Sequence, residues 1–178
     1  MSTNERAKKL VVRAQIERIS EAGSYRLQPG EALIVYRGTL RSILFNCPDG
    51  CCENITINLD PRAGKAWRLY ETKQGLTVFP SIWRDTGCKS HFIVYKNHII
   101  WCDYESDYSD SGIDLLNDAL DTLVLKYLSN DFQSYIQIAE KMDEIPWDVR
   151  SSCIRLTNTR RVIQGKGFEK EYFKLNGS

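Results

Sequence analysis

Up to residue 102, hydrophobic residues recur in short runs, several of which alternate with polar residues. The alternation is clearest in the segment 55–59, where apolar side chains occupy every second position. A repeat of two residues predicts half-buried β-strands, because successive side chains of a strand point to opposite faces. The predicted strands are residues 10–16, 32–36, 42–45, 55–59, 67–70, 76–79, 91–95 and 98–102.

The last two predicted strands form a hairpin, which fixes their register. Residues 96–97 make a two-residue turn, so Tyr95 is expected to pair with His98. The same register places His91 directly opposite Cys102. Directly opposed residues share one face of a sheet, with Cβ atoms about 5 Å apart. A slip of one residue would put the two side chains on opposite faces.

Beyond residue 102 the pattern changes. The segment 103–112 is acidic and polar without an apolar repeat, which predicts a linker. The period then becomes helical. The stripe of the first helix consists of Ile113, Leu116, Leu120, Leu123, Val124 and Tyr127. Further helices are predicted at 132–142 and 147–158, and Pro146 suits the first turn of the second of these. A hairpin with strands 161–163 and 172–175 follows.

Three helices followed by a hairpin is the order of a winged helix-turn-helix. The predicted fold class is therefore α+β, with a β-rich N-terminal domain and a small winged-helix-like C-terminal domain. The expected boundaries are residues 1–102 for the first domain, 103–112 for the acidic linker and 113–178 for the second domain.

Composition narrows the cellular setting. The chain has 178 residues and a net charge of +1, and no segment approaches the roughly 18 apolar residues that span a bilayer. Its first residues lack the apolar core of a signal peptide. The expectation is a cytoplasmic protein without a membrane partner. Cytosolic thiols are kept reduced, so clustered cysteines indicate a metal site or chemistry before they indicate disulfides.

Five of the six cysteines and both histidines, His91 and His98, lie between residues 47 and 102. A Cys-Pro-Asp-Gly-Cys turn followed by further soft ligands predicts one tetrahedral zinc site, structural by default. The favoured ligands are four cysteines: Cys47, Cys51, Cys88 and Cys102. Two alternatives stay open: three cysteines with His91, or Cys52 in place of Cys51. The N-terminal domain is thus predicted to bind zinc.

A four-cysteine site would leave His91 free to act as a general base for a nearby hydroxyl. Ser81 follows a predicted strand and can come alongside, whereas Ser90 neighbours His91 in a strand and points to the other face. Ser81 and His91 are therefore the candidate nucleophile and base. The competing interpretation of Ser81 is a turn hydroxyl after Pro80. A third possibility makes His91 a ligand of a catalytic zinc, but three thiolates would leave that zinc a poor Lewis acid.

The C-terminal region has a local excess of positive charge that bears on DNA contact. Residues 146–174 carry seven positive and three negative side chains, on the predicted recognition helix and wing. The whole segment 112–178, however, counts nine positive against ten negative residues, and a DNA-binding surface is usually more basic. DNA contact through Arg155 and Arg160 is thus a weaker expectation than protein docking or a structural role.

The ordered motifs resemble a bacterial family carried as a domain of unknown function. Its members occur in operons with ubiquitin-like, activating-enzyme-like and conjugating-enzyme-like genes, often in phage-defence islands. The resemblance covers about residues 10–102. The segments that carry it are 27–30 (Leu-Gln-Pro-Gly), 47–51, 67–69 (Trp-Arg-Leu), 80–82 (Pro-Ser-Ile), 88–92 (Cys-Lys-Ser-His-Phe) and Trp101.

The resemblance implies a zinc-stabilised peptidase that trims or removes a ubiquitin-like protein, with that protein and its conjugation enzymes as partners. Ser81 and His91 would be its catalytic pair. Two positions depart from the family pattern, in which a cysteine often stands at Asp49 and a glycine at Cys52; Cys102 would then replace the missing ligand. The alternative function is a non-catalytic zinc-binding adaptor that uses its C-terminal domain to bind DNA or a pathway protein.

Overall fold

The computed structural model describes residues 6–102 and 118–177. These two ranges belong to two compact units, each with its own core. The predicted linker 103–112 and the start of the first predicted helix, including Ile113 and Leu116, lie outside the described residues. The β-rich N-terminal part and the helical C-terminal part confirm the α+β class.

The first sheet of the N-terminal unit has the order β1-β2-β3-β4. Its strands are β1 (Val11–Ile16), β2 (Glu31–Tyr36), β3 (Leu40–Asn46) and β4 (Asn54–Asn58). β1 runs parallel to β2, and the other pairs are antiparallel. Single turns of 3-10 helix occur at Ile19–Ser24 and Pro61–Ala63.

The second sheet is an antiparallel meander of order β5-β6-β7-β8. Its strands are β5 (Arg68–Thr72), β6 (Gly75–Trp83), β7 (His91–Tyr95) and β8 (His98–Trp101). The predicted hairpin register is confirmed, since Tyr95 pairs with His98 and Phe92 with Trp101. The prediction that the sixth strand stops at residue 79 is wrong: β6 continues through Pro80 to Trp83.

Both sheets contribute to one hydrophobic core. The inward side chains of the first sheet, among them Ile43 and Phe45, are buried in the same cluster as Val78, Ile82 and Phe92 of the second. The rings of Phe45 and Phe92 meet edge to face, with centroids 5.9 Å apart. Because Ile82 and Phe92 are fixed in this core, their neighbours along β6 and β7 are held on the opposite face.

In its described part, residues 118–177, the C-terminal unit contains three α-helices and a small sheet of order β10-β11-β9. Its elements are α1 (Asp118–Tyr127), β9 (Gln133–Ser134), α2 (Tyr135–Met142), α3 (Pro146–Asn158), β10 (Val162–Gln164) and β11 (Tyr172–Leu175), with a 3-10 turn at Gly167–Glu169. The third helix and the last strand are confirmed. No helix in the described ranges is long and apolar enough to cross a membrane.

The predicted start of the second helix, at residue 132, is wrong. α2 begins at Tyr135, because Ser134 caps it by accepting the backbone N–H of Gln137, whose side chain accepts the backbone N–H of Ser134. The preceding residues, Gln133 and Ser134, pair instead with β11. An apolar residue at 132 therefore belongs to the chain that enters the helix, not to the helix.

Candidate functional site

An irregularity in β6 places Ser81. Between Val78 and Ile82 the strand advances four residues, while its partner β7 advances only two, from Val94 to Phe92. The extra residues of β6 bulge out of the ladder, and Ser81 is one of them. Bulges of this kind bend a strand and redirect a side chain. Regular pairing resumes directly afterwards, where Trp83 pairs with His91.

The bulge brings Ser81 to His91. The Ser81 Oγ lies 3.1 Å from the His91 Nε2, so the hydroxyl and the imidazole form a hydrogen bond. Both residues are half-buried. A nucleophile and base within about 2.6–3.2 Å, next to a surface that substrate can reach, meet the geometric requirement for nucleophilic catalysis. The structure therefore brings together the two residues that the sequence selected as a catalytic pair.

Two tryptophans flank this pair. The Trp67 Nε1 donates to the Ser81 carbonyl oxygen at 3.3 Å, which holds the bulged backbone in place. Trp83 lies across from His91, with ring centroids 5.8 Å apart, and 73% of it is exposed. Within the described ranges no carboxylate hydrogen-bonds to His91. The Asp49 carboxylate pairs with Arg6 at 2.8 Å.

Three cysteines form a second cluster near this end of β6 and β7. The sulfurs of Cys47, Cys51 and Cys88 all lie within 4.8 Å of one another. A tight turn brings the first two together: the Gly50 N–H donates to the Cys47 carbonyl, and Gly50 takes a φ of 84° that favours glycine. Cys88 comes from the connection between β6 and β7, and its sulfur is 3.6 Å from that of Cys47.

The remaining cysteines of the N-terminal unit lie outside this group. The Cys102 N–H donates to the His91 carbonyl at 2.9 Å, which continues the predicted pairing of these two residues. Cys52 is exposed, and its sulfur contacts the Gly50 carbonyl oxygen at 3.6 Å. In the part of the chain that the structure describes, neither sulfur joins the three-cysteine group, and neither does His91. Cys102 as a fourth ligand therefore stays a prediction.

The thiols of the cluster differ in acidity. Burial raises the pKa of Cys47 to about 11. Burial also acts on Cys88, but its hydrogen bonds with the Ser90 hydroxyl and backbone, together with those to Cys51 and Cys47, outweigh burial and lower the pKa of Cys88 to about 7. A partly buried group of three soft donors suits zinc, which binds deprotonated thiolates. The residues present therefore fit a zinc ion.

Arg84 is a member of this site that the sequence reasoning missed. Its Nη1 lies 3.3 Å from the Cys51 sulfur and 3.1 Å from the Cys88 sulfur, and its Nη2 forms an ion pair with Glu53. The Glu53 carboxylate, above all, raises the pKa of Arg84, with smaller contributions from the cysteines. The only signal in the sequence was an arginine close to Cys88, which does not by itself distinguish a site residue from a surface residue.

A hydrogen-bonded serine and histidine on a rigid sheet is the arrangement found in serine hydrolases. Residues 19–102 match the family model described as the bacterial ubiquitination-like system serine protease (BubE). The resemblance seen in the sequence is thereby confirmed for this segment, which is somewhat under half of the 178-residue chain and contains Ser81, His91 and the cysteine cluster. No curated protein and no solved structure matches the chain.

Proposed function

We propose that this chain is a serine-type peptidase that processes or removes a ubiquitin-like protein in a bacterial ubiquitination-like system. Ser81 is the nucleophile and His91 the general base. The observation that carries the proposal is the 3.1 Å contact between the Ser81 Oγ and the His91 Nε2, within a segment that matches a serine protease family. The proposed partners are the ubiquitin-like protein and its conjugation enzymes, in the cytoplasm, as part of antiviral defence.

The proposed reaction has two steps. His91 takes the Ser81 proton at Nε2 while the Ser81 Oγ bonds to the carbonyl carbon of the scissile bond, and the protonated imidazole then gives that proton to the departing amine. In the second step His91 takes a proton from water. The hydroxide attacks the carbonyl carbon of the acyl-serine, and the bond to the Ser81 Oγ breaks as the protonated imidazole returns its proton to that oxygen. The product leaves as a carboxylic acid, which ionises in water. The proposed catalytic residues are Ser81 and His91.

The proposed zinc has a structural role. Cys47, Cys51 and Cys88 would hold it, and the sequence prediction adds Cys102 as the fourth ligand. When bound, the ion supplies a cross-link between the Cys47–Cys51 turn and the connection between β6 and β7. This cross-link would stabilise the strand ends that carry Ser81 and His91, without the metal touching the substrate.

The C-terminal unit is proposed to be a winged helix, with the boundaries 103–112 for the linker and 113–178 for the domain. The support is its element order and the pairing of β9 with the second strand of the hairpin. The adaptor alternative, with DNA contact through Arg155, loses support because the Arg155 guanidinium is paired with Asp121 at 2.6 Å. Arg150 is likewise paired with Glu171 at 2.7 Å. A protein-docking role fits these occupied arginines better.

The test is cleavage of a ubiquitin-like precursor by the full chain and by Ser81→Ala. Cleavage should fall by about 10⁴-fold or more, as for the loss of other serine nucleophiles. A fluorophosphonate probe should label the wild type and not the variant. The control is Ser24→Ala, which removes an exposed hydroxyl bonded only to the Glu21 carbonyl and should leave both readouts unchanged. Retained cleavage by a folded Ser81→Ala protein would remove Ser81 from the mechanism and favour the adaptor.

A further inference from the structure

Arg84 is placed unusually for an arginine. It follows directly after β6, and only 14% of its side chain is exposed although it carries a charge. A buried charge is costly unless it is paired and hydrogen-bonded. Arg84 meets this requirement on two sides: its Nη2 pairs with Glu53, and its Nη1 approaches the sulfurs of Cys51 and Cys88 at 3.3 Å and 3.1 Å.

The contact of the Arg84 Nη1 with the sulfurs of Cys51 and Cys88 bears on how the cluster would bind a metal ion. The thiolates of Cys47, Cys51 and Cys88 around a divalent cation would carry a net charge of minus one, and a fourth thiolate from Cys102 would make it minus two. A guanidinium within hydrogen-bond distance of two of the sulfurs would offset one unit of that charge and donate hydrogen bonds to the sulfurs. Groups in this position orient metal ligands, and their loss weakens metal binding by about 10- to 100-fold.

The surrounding backbone is shaped for this contact. A Cβ atom at Gly87 would lie 2.9 Å from the Glu53 Oε2 and 3.0 Å from the Arg84 Nη2, so a side chain there would press on the ion pair, and the φ of 63° at this position also favours glycine. The Arg84 backbone N–H donates to the Ser90 carbonyl at 3.0 Å. This bond extends the β6–β7 ladder to Ser90, two residues after Cys88.

We propose that Arg84 is the charge-compensating, positioning residue of the zinc site to which Cys47, Cys51 and Cys88 contribute. Its guanidinium stabilises the anionic, metal-loaded cluster and holds Cys51 and Cys88 in the geometry that binds zinc. This inference rests on the metal site of the proposed function, and it is independent of the roles given to Ser81 and His91.

The experiment measures zinc affinity by competition with a chromogenic chelator, on the full chain. Cobalt substitution provides a second readout through its thiolate charge-transfer band. Arg84→Gln should weaken zinc binding by about 10- to 100-fold. Arg84→Lys should weaken it less, because a lysine keeps the charge but loses the planar fork that reaches two sulfurs at once. Arg13→Gln is the matched control: it removes an exposed arginine that is also paired with a carboxylate, Glu31, and should not change the affinity.

Each outcome is decisive. Unchanged zinc affinity in a folded Arg84→Gln protein would overturn the inference. If that variant does not fold, Arg84→Lys and Glu53→Gln take its place. Glu53→Gln keeps the contacts between Arg84 and the sulfurs, so it should weaken zinc binding less than Arg84→Lys does. The reverse order would also overturn the inference. A wild type that binds neither zinc nor cobalt would remove the metal site altogether. Cleavage by Ser81→Ala would contradict the proposed peptidase while leaving the zinc measurements valid.

Discussion

The two units of the chain use their polar side chains in different ways. In the N-terminal unit a hydroxyl, an imidazole and three thiols gather where β6 and β7 end, and the contacts between Ser81 and His91 leave both groups able to react. In the C-terminal unit the arginines of α3 are paired with carboxylates of the same unit: Arg150 with Glu171 and Arg155 with Asp121. Ion pairs such as those of Arg150 and Arg155 hold a fold together. A hydroxyl, an imidazole and thiols gathered at the ends of two strands are instead groups that can react or bind a metal.

The largest expected effect compares the two histidines, which lie at opposite ends of the same hairpin. His91 contacts Ser81, while the exposed His98 bonds through Nδ1 only to the Lys96 carbonyl. His91→Ala should lower kcat/KM for cleavage of a ubiquitin-like precursor by about 10³-fold, within the range of general acid–base catalysis. His98→Ala should change it by no more than about twofold. Equal losses for both variants would mean that the difference in environment has no catalytic meaning.

The pair of Ser81 and His91 shows how far the sequence could predict the site. The pairing of Tyr95 with His98 follows from a two-residue turn, so a local pattern was enough to place His91. Ser81 required more, because Pro80 interrupts the alternation and conceals the fact that β6 continues to Trp83. Its contact with His91 depends on a bulge in the β6–β7 pairing, which is a property of two strands together.

The position of Arg84 beside the cysteines could not be predicted either, because it also depends on tertiary structure. Its partners Cys51 and Glu53 are 33 and 31 residues away in the chain, and tertiary packing alone brings them to it. The three cysteines were predicted because soft ligands in a knuckle-like turn are recognisable from sequence. An arginine that stabilises thiolates has no comparable pattern. The start of α2 was misplaced because short-range β pairing and capping at Ser134 override an apolar repeat.

Metal removal should have the next largest effect and should act on one unit. If free zinc is about 1,000-fold above its dissociation constant, binding contributes about 4 kcal/mol to the stability of the N-terminal unit. A chelator should therefore increase hydrogen exchange in the strands β6 and β7. The helices of the C-terminal unit should not respond, since their core is separate. Exchange that rises equally in both units would contradict this separation.

Single cysteine variants test which thiols hold the metal. Cys88→Ser should abolish zinc binding, measured as bound zinc per chain, because it removes one of the three clustered sulfurs. Cys52→Ser is the matched control, since this exposed thiol lies outside the cluster. Zinc loss in Cys52→Ser with retention in Cys51→Ser would reverse that assignment. Zinc loss in Cys102→Ser would establish the predicted fourth ligand.

Asp121 should matter for stability but not for cleavage. Its carboxylate accepts from the buried Ser152 hydroxyl at 2.6 Å and from the Arg155 Nη2 at 2.6 Å. Asp121→Asn removes a charge that serves both partners, so the free energy of unfolding of the C-terminal unit should fall by about 2 kcal/mol. The measurement is denaturant unfolding followed by helical circular dichroism, since the described α-helices all lie in this unit, with cleavage activity as the control. A loss of activity without loss of stability would show that this unit takes part in catalysis.

Trp83 is expected to contact the substrate. An indole that is 73% exposed and 5.8 Å from the His91 ring has little to pack against in the free protein, so an extended peptide lying over Ser81 would cover it. Trp83→Ala should raise KM by about tenfold with a smaller change in kcat, because removing an interaction common to the ground and transition states affects binding. Phe168→Ala, which removes a fully exposed aromatic side chain in the C-terminal unit, should leave KM unchanged.

The smallest effect concerns the pair of Arg150 and Glu171. The Arg150 guanidinium lowers the pKa of the Glu171 carboxyl below its usual range. A carboxyl with a lowered pKa in the folded state stabilises the fold above its unfolded pKa, about 4.3, and loses this contribution as the pH falls through the folded pKa. The Glu171 side chain is 41% exposed, so solvent weakens the pair and Glu171→Gln should cost less than about 1 kcal/mol at pH 7. Unfolding curves of the two proteins should converge as the pH falls through the lowered pKa of Glu171 in the folded protein. A difference that persists at lower pH would show that Glu171 stabilises the unit by packing instead of by charge.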